Sequence, residues 1–516
     1  MMVDKQTSPE TAQNLWRRYR VPLIVLGIVL LVALYVAGVP HNPPGFYLDE
    51  SSIAYNAHTI AQTGLDEYGN SWPLYFRAFG EYKNPTYVYL LAALYRLTGP
   101  SIFVARALSA ALGLLAAFFL GILAWQITRQ QSIGLIVGVI ALFTPWFFEL
   151  SRLVVEVAMY PLALALFLLV LHRVSSKSKW SQLEIIGLAF TLGLLTYVYS
   201  IGRLLAPLLG LGLLFFVTRK RVLAIIETWA LYALTLVPLL IFNQRHPGAL
   251  LTKFRWATYI TSESTPVQIA SEFSKHYLTN LSPWSLLFSG DSHQVAHIPS
   301  MGSLLIAPAL IIVAGIVIVI QRHLRDPWWR FILYGVLAAV IPASLTRDQF
   351  PSLRLIAVPV FLLVLSVPGL VWLLDASARS QTRRAILALV LTATTLQVAV
   401  FQWRFHRTYR NSSTRLAEFD AQYPELLTAA AASGRRPIYL IDQSSLPGYI
   451  QAYWYGTLRG MDGSEFVRMP FGSQAPPEGV VITTEAPPAN ARIVSHTGPY
   501  TAYIAATATR TDIGVK

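Results

Sequence analysis

The chain has 516 residues, of which 54% are hydrophobic and only 13% charged, and its formal net charge is +14. A soluble protein carries about a quarter charged residues, so this composition excludes an ordinary soluble enzyme and points to repeated membrane crossings. The absence of cysteine excludes disulfides and thiolate metal sites, and cations confined to short loops between apolar runs argue against nucleic acid as the reason for the basic excess.

Arg17, Arg18 and Arg20 precede the first apolar stretch, Val21 to Val39. That stretch is long for a signal-peptide core and lacks an Ala-x-Ala-like cleavage site. It reads as a retained anchor, with residues 1–20 as a cytoplasmic amino terminus. Further spans are expected at 101–127, 132–148, 157–174, 183–199, 201–217, 222–242, 303–321, 328–346, 353–374 and 383–402. The segment 84–98 is apolar but short and carries Arg96. Treating it as an interfacial helix places Arg129, Arg173/Lys177/Lys179, Arg219/Lys220/Arg221, Arg322/Arg325/Arg330 and Arg379/Arg383/Arg384 on the cytoplasmic side. This satisfies the positive-inside rule; counting 84–98 as a span reverses it.

The expected fold class is an α-helical polytopic protein of the cell membrane with about eleven spans. Residues 21–402 form the transmembrane domain, with external loops 40–100 and 244–302. Residues 403–516 form an extracytoplasmic α/β tail. In that tail Pro437-Ile438-Tyr439-Leu440-Ile441 and Gly479-Val480-Val481-Ile482-Thr483-Thr484 read as short buried strands, and Glu418 to Ala432 as one helix. The sequence shows no 20–50-residue repeat and no matched broken spans of a transporter.

The first external loop carries Tyr47-Leu48-Asp49-Glu50, an acidic pair at the mouth of the first span. Carboxylates beside lipid are costly and mark function by default. An amphipathic helix follows, then the turn Thr63-Gly64-Leu65-Asp66-Glu67-Tyr68-Gly69, then Glu81-Tyr82-Lys83-Asn84-Pro85. Pro85 suits the first turn of a helix, which puts Lys83 near Asp49 if the two helices pack side by side. Such a carboxylate takes a proton from a hydroxyl while the cation steadies an anionic leaving group. A solvated loop with ordinary charges is the plain alternative.

Further along, Arg152 and Glu156 are four apart and are expected to share one helix face as an ion pair, on the same membrane face as Asp49. Arg203, Arg255, Arg347 and Arg354 are external arginines able to grip a lipid phosphate or simply to snorkel. Asp291 follows Gly290 and reads as a cap or substrate contact. His293 and His297 have the spacing of a zinc pair only on a helix, which Gly290 and Pro299 oppose, so no metal site is assigned. No Walker loop, Gly-x-Ser-x-Gly or Gly-x-Gly-x-x-Gly is found.

The order Asp49-Glu50, Thr63-Gly64-x-Asp66-x-Tyr68-Gly69, Lys83-x-Pro85, Arg152-x-x-x-Glu156 and Gly290-Asp291 resembles the GT-C membrane glycosyltransferases. Within them it looks like the branch of protein O-mannosyltransferases and lipid A aminoarabinose transferases. The resemblance covers roughly residues 20–375. It implies a polyprenyl-phosphate sugar donor, a catalytic set of Asp49, Glu50 and Glu156, and Lys83 at the donor phosphate. It also implies transfer to a hydroxyl, amine or phosphate of a protein, lipid or glycan acceptor on the outer face. The branch often has Lys-Pro-Pro, whereas Asn84 separates Lys83 from Pro85 here, and relatives carry Asp where this chain has Glu156. No cofactor is assigned; a Mg or Mn ion bridging Asp49, Glu156 and phosphate stays open. The alternative is a flippase or transporter of lipid-linked sugar, which calls for mid-span charges rather than charges at span ends.

Overall fold

In hydrocarbon every backbone N–H and C=O must be satisfied within its own segment, and each expected span coincides with a helix. The computed structural model describes residue 22 and residues 25–293, 295–377, 380–443 and 445–505. The amino terminus 1–20 and Arg379 lie outside the described residues. Among the described residues six helical segments are long and apolar enough to cross a membrane: Ile102–Thr128, Glu156–Ser175, Val222–Arg245, Ile306–His323, Ala357–Asp375 and Gln381–Tyr409. Val25–Val36, Gln131–Phe143, Gln182–Val198 and Gly202–Phe216 are apolar but shorter, and Pro327–Ser344 completes the set of helices at the expected positions.

Prolines explain where helices stop early. The expected 132–148 span ends at Phe143, and Thr144 is extended (φ −63°, ψ 122°), because the residue before Pro145 is pushed out of the helical region. The helices Ile102–Thr128 and Gln131–Phe143 form a hairpin whose closest approach runs through glycine. A Cβ on Gly121 would stand 2.8 Å from the Gly134 carbonyl oxygen, and one on Gly134 2.7 Å from that of Gly121. Small residues at such a crossing let backbones meet within the bilayer.

Between the helices Val25–Val36 and Ile102–Thr128 lies the loop 40–100. The helix Leu48–Thr63 closes at Gly64 in the left-handed region (φ 73°). A two-stranded hairpin, Phe76–Ala78 with Glu81–Lys83, turns at Phe79 and Gly80, both at positive φ. Pro85 opens the helix Pro85–Thr98, as expected, with Asn84 as its extended cap. That helix buries Tyr87, Val88, Leu91, Ala92 and Tyr95, a stripe at i, i+3, i+4 spacing packed on Leu48–Thr63.

The tail contains a five-stranded mixed sheet in the order Phe466–Met469, Ile438–Ile441, Val480–Thr483, Tyr500–Ile504, Arg492–Thr497. Its first three strands are parallel and the last two antiparallel. Both expected strands are present. The expected helix 418–432 is instead two helices, Ser413–Glu418 and Tyr423–Ala432, split where Asp420 takes φ 45°.

This tail is docked, and its apolar core is continuous with that of the membrane helices. A tail helix, Tyr449–Leu458, lies on Leu48–Thr63. Ser51 Oγ donates to Gln451 Oε1 (2.5 Å), and Gln451 Nε2 donates to the Phe46 carbonyl (2.7 Å). Phe46 N donates to the Phe419 carbonyl (2.8 Å), an approach that requires Gly45, where a Cβ would overlap the Phe419 carbonyl oxygen. Trp454 is fully buried and stacks on Phe46 (5.6 Å) and Tyr95 (6.1 Å). Trp454→Ala is expected to cost about 3–5 kcal/mol and to lower the thermal unfolding midpoint in detergent. Phe471→Ala, at an exposed position, is the control that leaves it unchanged.

Candidate active site

Strand geometry builds the centre of the site. Glu81 and Lys83 are two apart in one strand and so point to the same face, and both are buried. Lys83 Nζ donates to Asp49 Oδ1 at 2.5 Å. Lys253, on the short helix Thr252–Ala257, reaches Glu81 Oε1 at 2.8 Å. The 40–100 loop and the 244–302 loop thus meet through alternating charges. Burial opposes the charge on Asp49, but Lys83 and Lys253 outweigh it and hold the carboxyl below its ordinary range. For Lys83, burial is likewise outweighed by Asp49 and Glu81, and for Lys253 chiefly by Glu81, so both ammonium groups are held above their ordinary value.

Asn84 joins this cluster to Glu156. Its backbone N–H donates to Glu156 Oε1, and its side-chain amide to Glu156 Oε2 at 3.2 Å. Asn84 Oδ1 in turn accepts from Arg203 Nη2 at 3.0 Å. Arg203 also donates to the Leu250 carbonyl (2.9 Å) and lies over the Tyr75 ring (5.1 Å). A proline at position 84 would supply neither the N–H nor the amide, so the departure from Lys-Pro-Pro is what holds Glu156 in place here.

Glu50 lies elsewhere. Its side chain is fully buried and paired with Arg106 at 2.9 and 3.1 Å. It also accepts from Tyr47 N and Val154 N, each at 2.9 Å. With both oxygens engaged it is a clamp between segments, and it leaves the candidate acids. Arg152 and Glu156 do not share a helix face. The helix Pro145–Leu150 ends before them, and Glu156–Met159 is a separate 3₁₀ turn. Arg152 turns inward, donates to the Tyr35 carbonyl and to Ser151 Oγ, and lies 3.9 Å from the Phe148 ring centre.

The remaining candidates are dispersed. Asp291 accepts from Ser352 N (2.7 Å) and His293 N (2.8 Å), holding two loops together. Arg354 pairs with Asp348 and Thr346. Arg255 and Arg347 are exposed. His297 is paired with Glu149 at 3.0 Å. Among the described residues no group of three or more His, Asp or Glu side chains converges as metal ligands. Glu156 gives both oxygens to Asn84, and Asp49 gives Oδ1 to Lys83.

Lys253, Glu81, Asn84 and Arg106 were not among the sequence candidates. Arg106 carried a signal, as a lone cation within the apolar run 101–127. Lys253 sits two positions from Arg255, and only the chain's path distinguishes them. Arg106→Ala is expected to leave Glu50 buried without a partner and to cost about 3–5 kcal/mol, read as a lowered unfolding midpoint of the purified protein.

Comparison with known proteins fits this arrangement. The family described as dolichyl-phosphate-mannose-protein mannosyltransferase matches residues 82–243, a stretch that includes Lys83, Asn84, Glu156 and Arg203 but not Asp49. No curated protein matches the chain by sequence. Among solved structures, ArnT from Cupriavidus metallidurans in the apo state superposes with a TM-score of 0.58 at 12% identity, covering 94% of this chain and 98% of that one. ArnT bound to undecaprenyl phosphate gives 0.58 at 13% identity, covering 93% and 98%. The Archaeoglobus fulgidus oligosaccharyltransferase, tethered to an acceptor peptide, gives 0.52 at 14% identity, covering 88% and 64%. Identities this low speak for the fold. Together with the family match over residues 82–243, they support the resemblance to the protein O-mannosyltransferase and lipid A aminoarabinose transferase branch of the GT-C enzymes that was read from the sequence.

Proposed function

We propose that the protein is a membrane glycosyltransferase. It moves a sugar from a polyprenyl-phosphate donor to a hydroxyl, amine or phosphate acceptor at the extracytoplasmic face of the cell membrane. The observation that carries this reading is the Asp49–Lys83 pair at 2.5 Å, flanked by Lys253 and by Glu156 on Asn84. Asp49 is the accessible acid of the cluster: its side chain is 32% exposed, against 11% for Glu81 and 5% for Lys83 beneath it. In the proposed step the acceptor hydroxyl attacks the anomeric carbon and its proton passes to Asp49. The bond from that carbon to the phosphate oxygen breaks, and the lipid phosphate departs as an anion toward Lys83 and Lys253. Arg203 and Asn84 keep Glu156 beside the reacting groups. That a similar fold has been solved with undecaprenyl phosphate supports a polyprenyl-phosphate donor here.

The assay is release of lipid phosphate from a radiolabelled polyprenyl-phosphate sugar by the purified protein. Asp49→Asn is expected to reduce transfer to background at unchanged expression, and near-normal turnover would remove the base assignment. Lys83→Met is expected to lose about 10²–10³-fold. Movement of intact donor between leaflets without cleavage would favour transport instead.

The charge of the base gives a pH signature. Lys83 and Lys253 hold Asp49 below the ordinary carboxylate value, so the acid limb of kcat/KM lies lower than an ordinary aspartate would give. In the residual activity of Lys83→Met, burial is less opposed and that limb moves upward.

A further inference from the structure

At the end of the helix bundle away from Asp49, a cleft of about 1250 Å³ opens where several helix ends meet. The helix Ile102–Thr128 measures the separation. Arg106 near its start contacts Glu50, and Thr128 at its end lines the cleft, about 33 Å further on at 1.5 Å per residue. This cavity is therefore distinct from the Asp49 cluster.

Its rim is cationic. Arg322, from the end of the Ile306–His323 segment, and Arg383, from the start of Gln381–Trp403, both line it with His323. Neither arginine has an ion pair among the described residues. Arg383 lies over the Trp372 ring at 5.0 Å. The lining includes one carboxylate, Asp375, so the two arginines leave an excess of one positive charge even with His323 neutral. The rest of the lining is largely apolar, through Ile318 one turn before Arg322 and Val371 on the helix Ala357–Ser377. Trp329 and Trp372 also line the cleft, as indoles do at the headgroup level of a bilayer.

We propose that this cleft holds the headgroup of an anionic phospholipid, with its phosphodiester gripped by Arg322 and Arg383. Guanidinium groups match phosphate oxygens in charge and geometry. The apolar floor takes the first methylenes of the acyl chains, a feature that a site for free phosphate does not need. Two arginines from different helices line this one cleft and outnumber its single carboxylate, Asp375, an arrangement that favours an anion.

The test uses the full-length protein and native mass spectrometry, with phosphatidylglycerol or phosphatidylcholine of identical acyl chains as probes. Wild type is expected to retain phosphatidylglycerol selectively and to release it as salt rises. R322Q/R383Q is expected to weaken that retention by roughly thirtyfold without changing the phosphatidylcholine signal. If the glutamine variant is not monodisperse, R322K/R383K takes its place: it keeps the charge, loses the fork, and is expected to retain selectivity at reduced strength. Equal retention of both lipids by wild type, or unchanged phosphatidylglycerol retention in the glutamine variant, overturns the proposal. Displacement of the lipid by inorganic phosphate but not by chloride at the same ionic strength does so too, because it assigns the cleft to a free anion.

Discussion

The architecture around the proposed site depends on one buried ion pair, Glu50 with Arg106. Neighbouring residues on a helix point about 100° apart. Once Glu50 is pinned inward, the rotation of Leu48–Thr63 is set and Asp49 must face the hairpin that carries Lys83. The pair does more than orient one helix. Arg106 also donates to the Pro43 and Gly45 carbonyls, and Glu50 accepts from Val154 N. It therefore ties the loop entering the site, the helix beneath it and the segment leading to Glu156. An ion pair taken this far out of water is weak evidence of net stability. Its value here lies in geometry, because both proposed acids hang from segments that it joins.

The polar centre is assembled from charges that neutralise one another in turn. Lys83 lies between Asp49 and Glu81, and Glu81 between Lys83 and Lys253. Each cation lowers the cost of keeping a carboxylate ionised at a membrane boundary. The tail adds a lid of aromatic and amide contacts through Trp454 and Gln451. Those contacts connect the strand-rich part of the chain to the helix bearing Asp49, so the tail and the proposed site sit on one packed unit.

Local signals in the sequence were legible where local physics decided them. Apolar runs became helices, Pro85 opened the helix after Lys83, and two β-branched stretches became adjacent strands. The nearness of Lys83 to Asp49 followed from two helices separated by a tight hairpin. What the sequence did not disclose depended on long-range packing. Asp49 and Glu50 are chemically alike, and only the position of Arg106, more than fifty residues on, assigns one to the site and the other to the scaffold. Arg152 and Glu156 had helical spacing, but the chain leaves the helix at Ser151, and the free Tyr35 carbonyl with the Phe148 ring claims the arginine. Lys253 became visible only once Glu81 had a face.

The central claim is that Lys83, Lys253 and Asp49 together form the seat of a lipid phosphate and its reacting sugar. An electron cryo-microscopy map of the wild-type protein with added undecaprenyl phosphate tests it most directly. The account predicts phosphate density within hydrogen-bond distance of Lys83 Nζ, with the isoprenoid leaving toward the membrane. Well-ordered phosphate density seated away from Lys83 and Lys253 would contradict it.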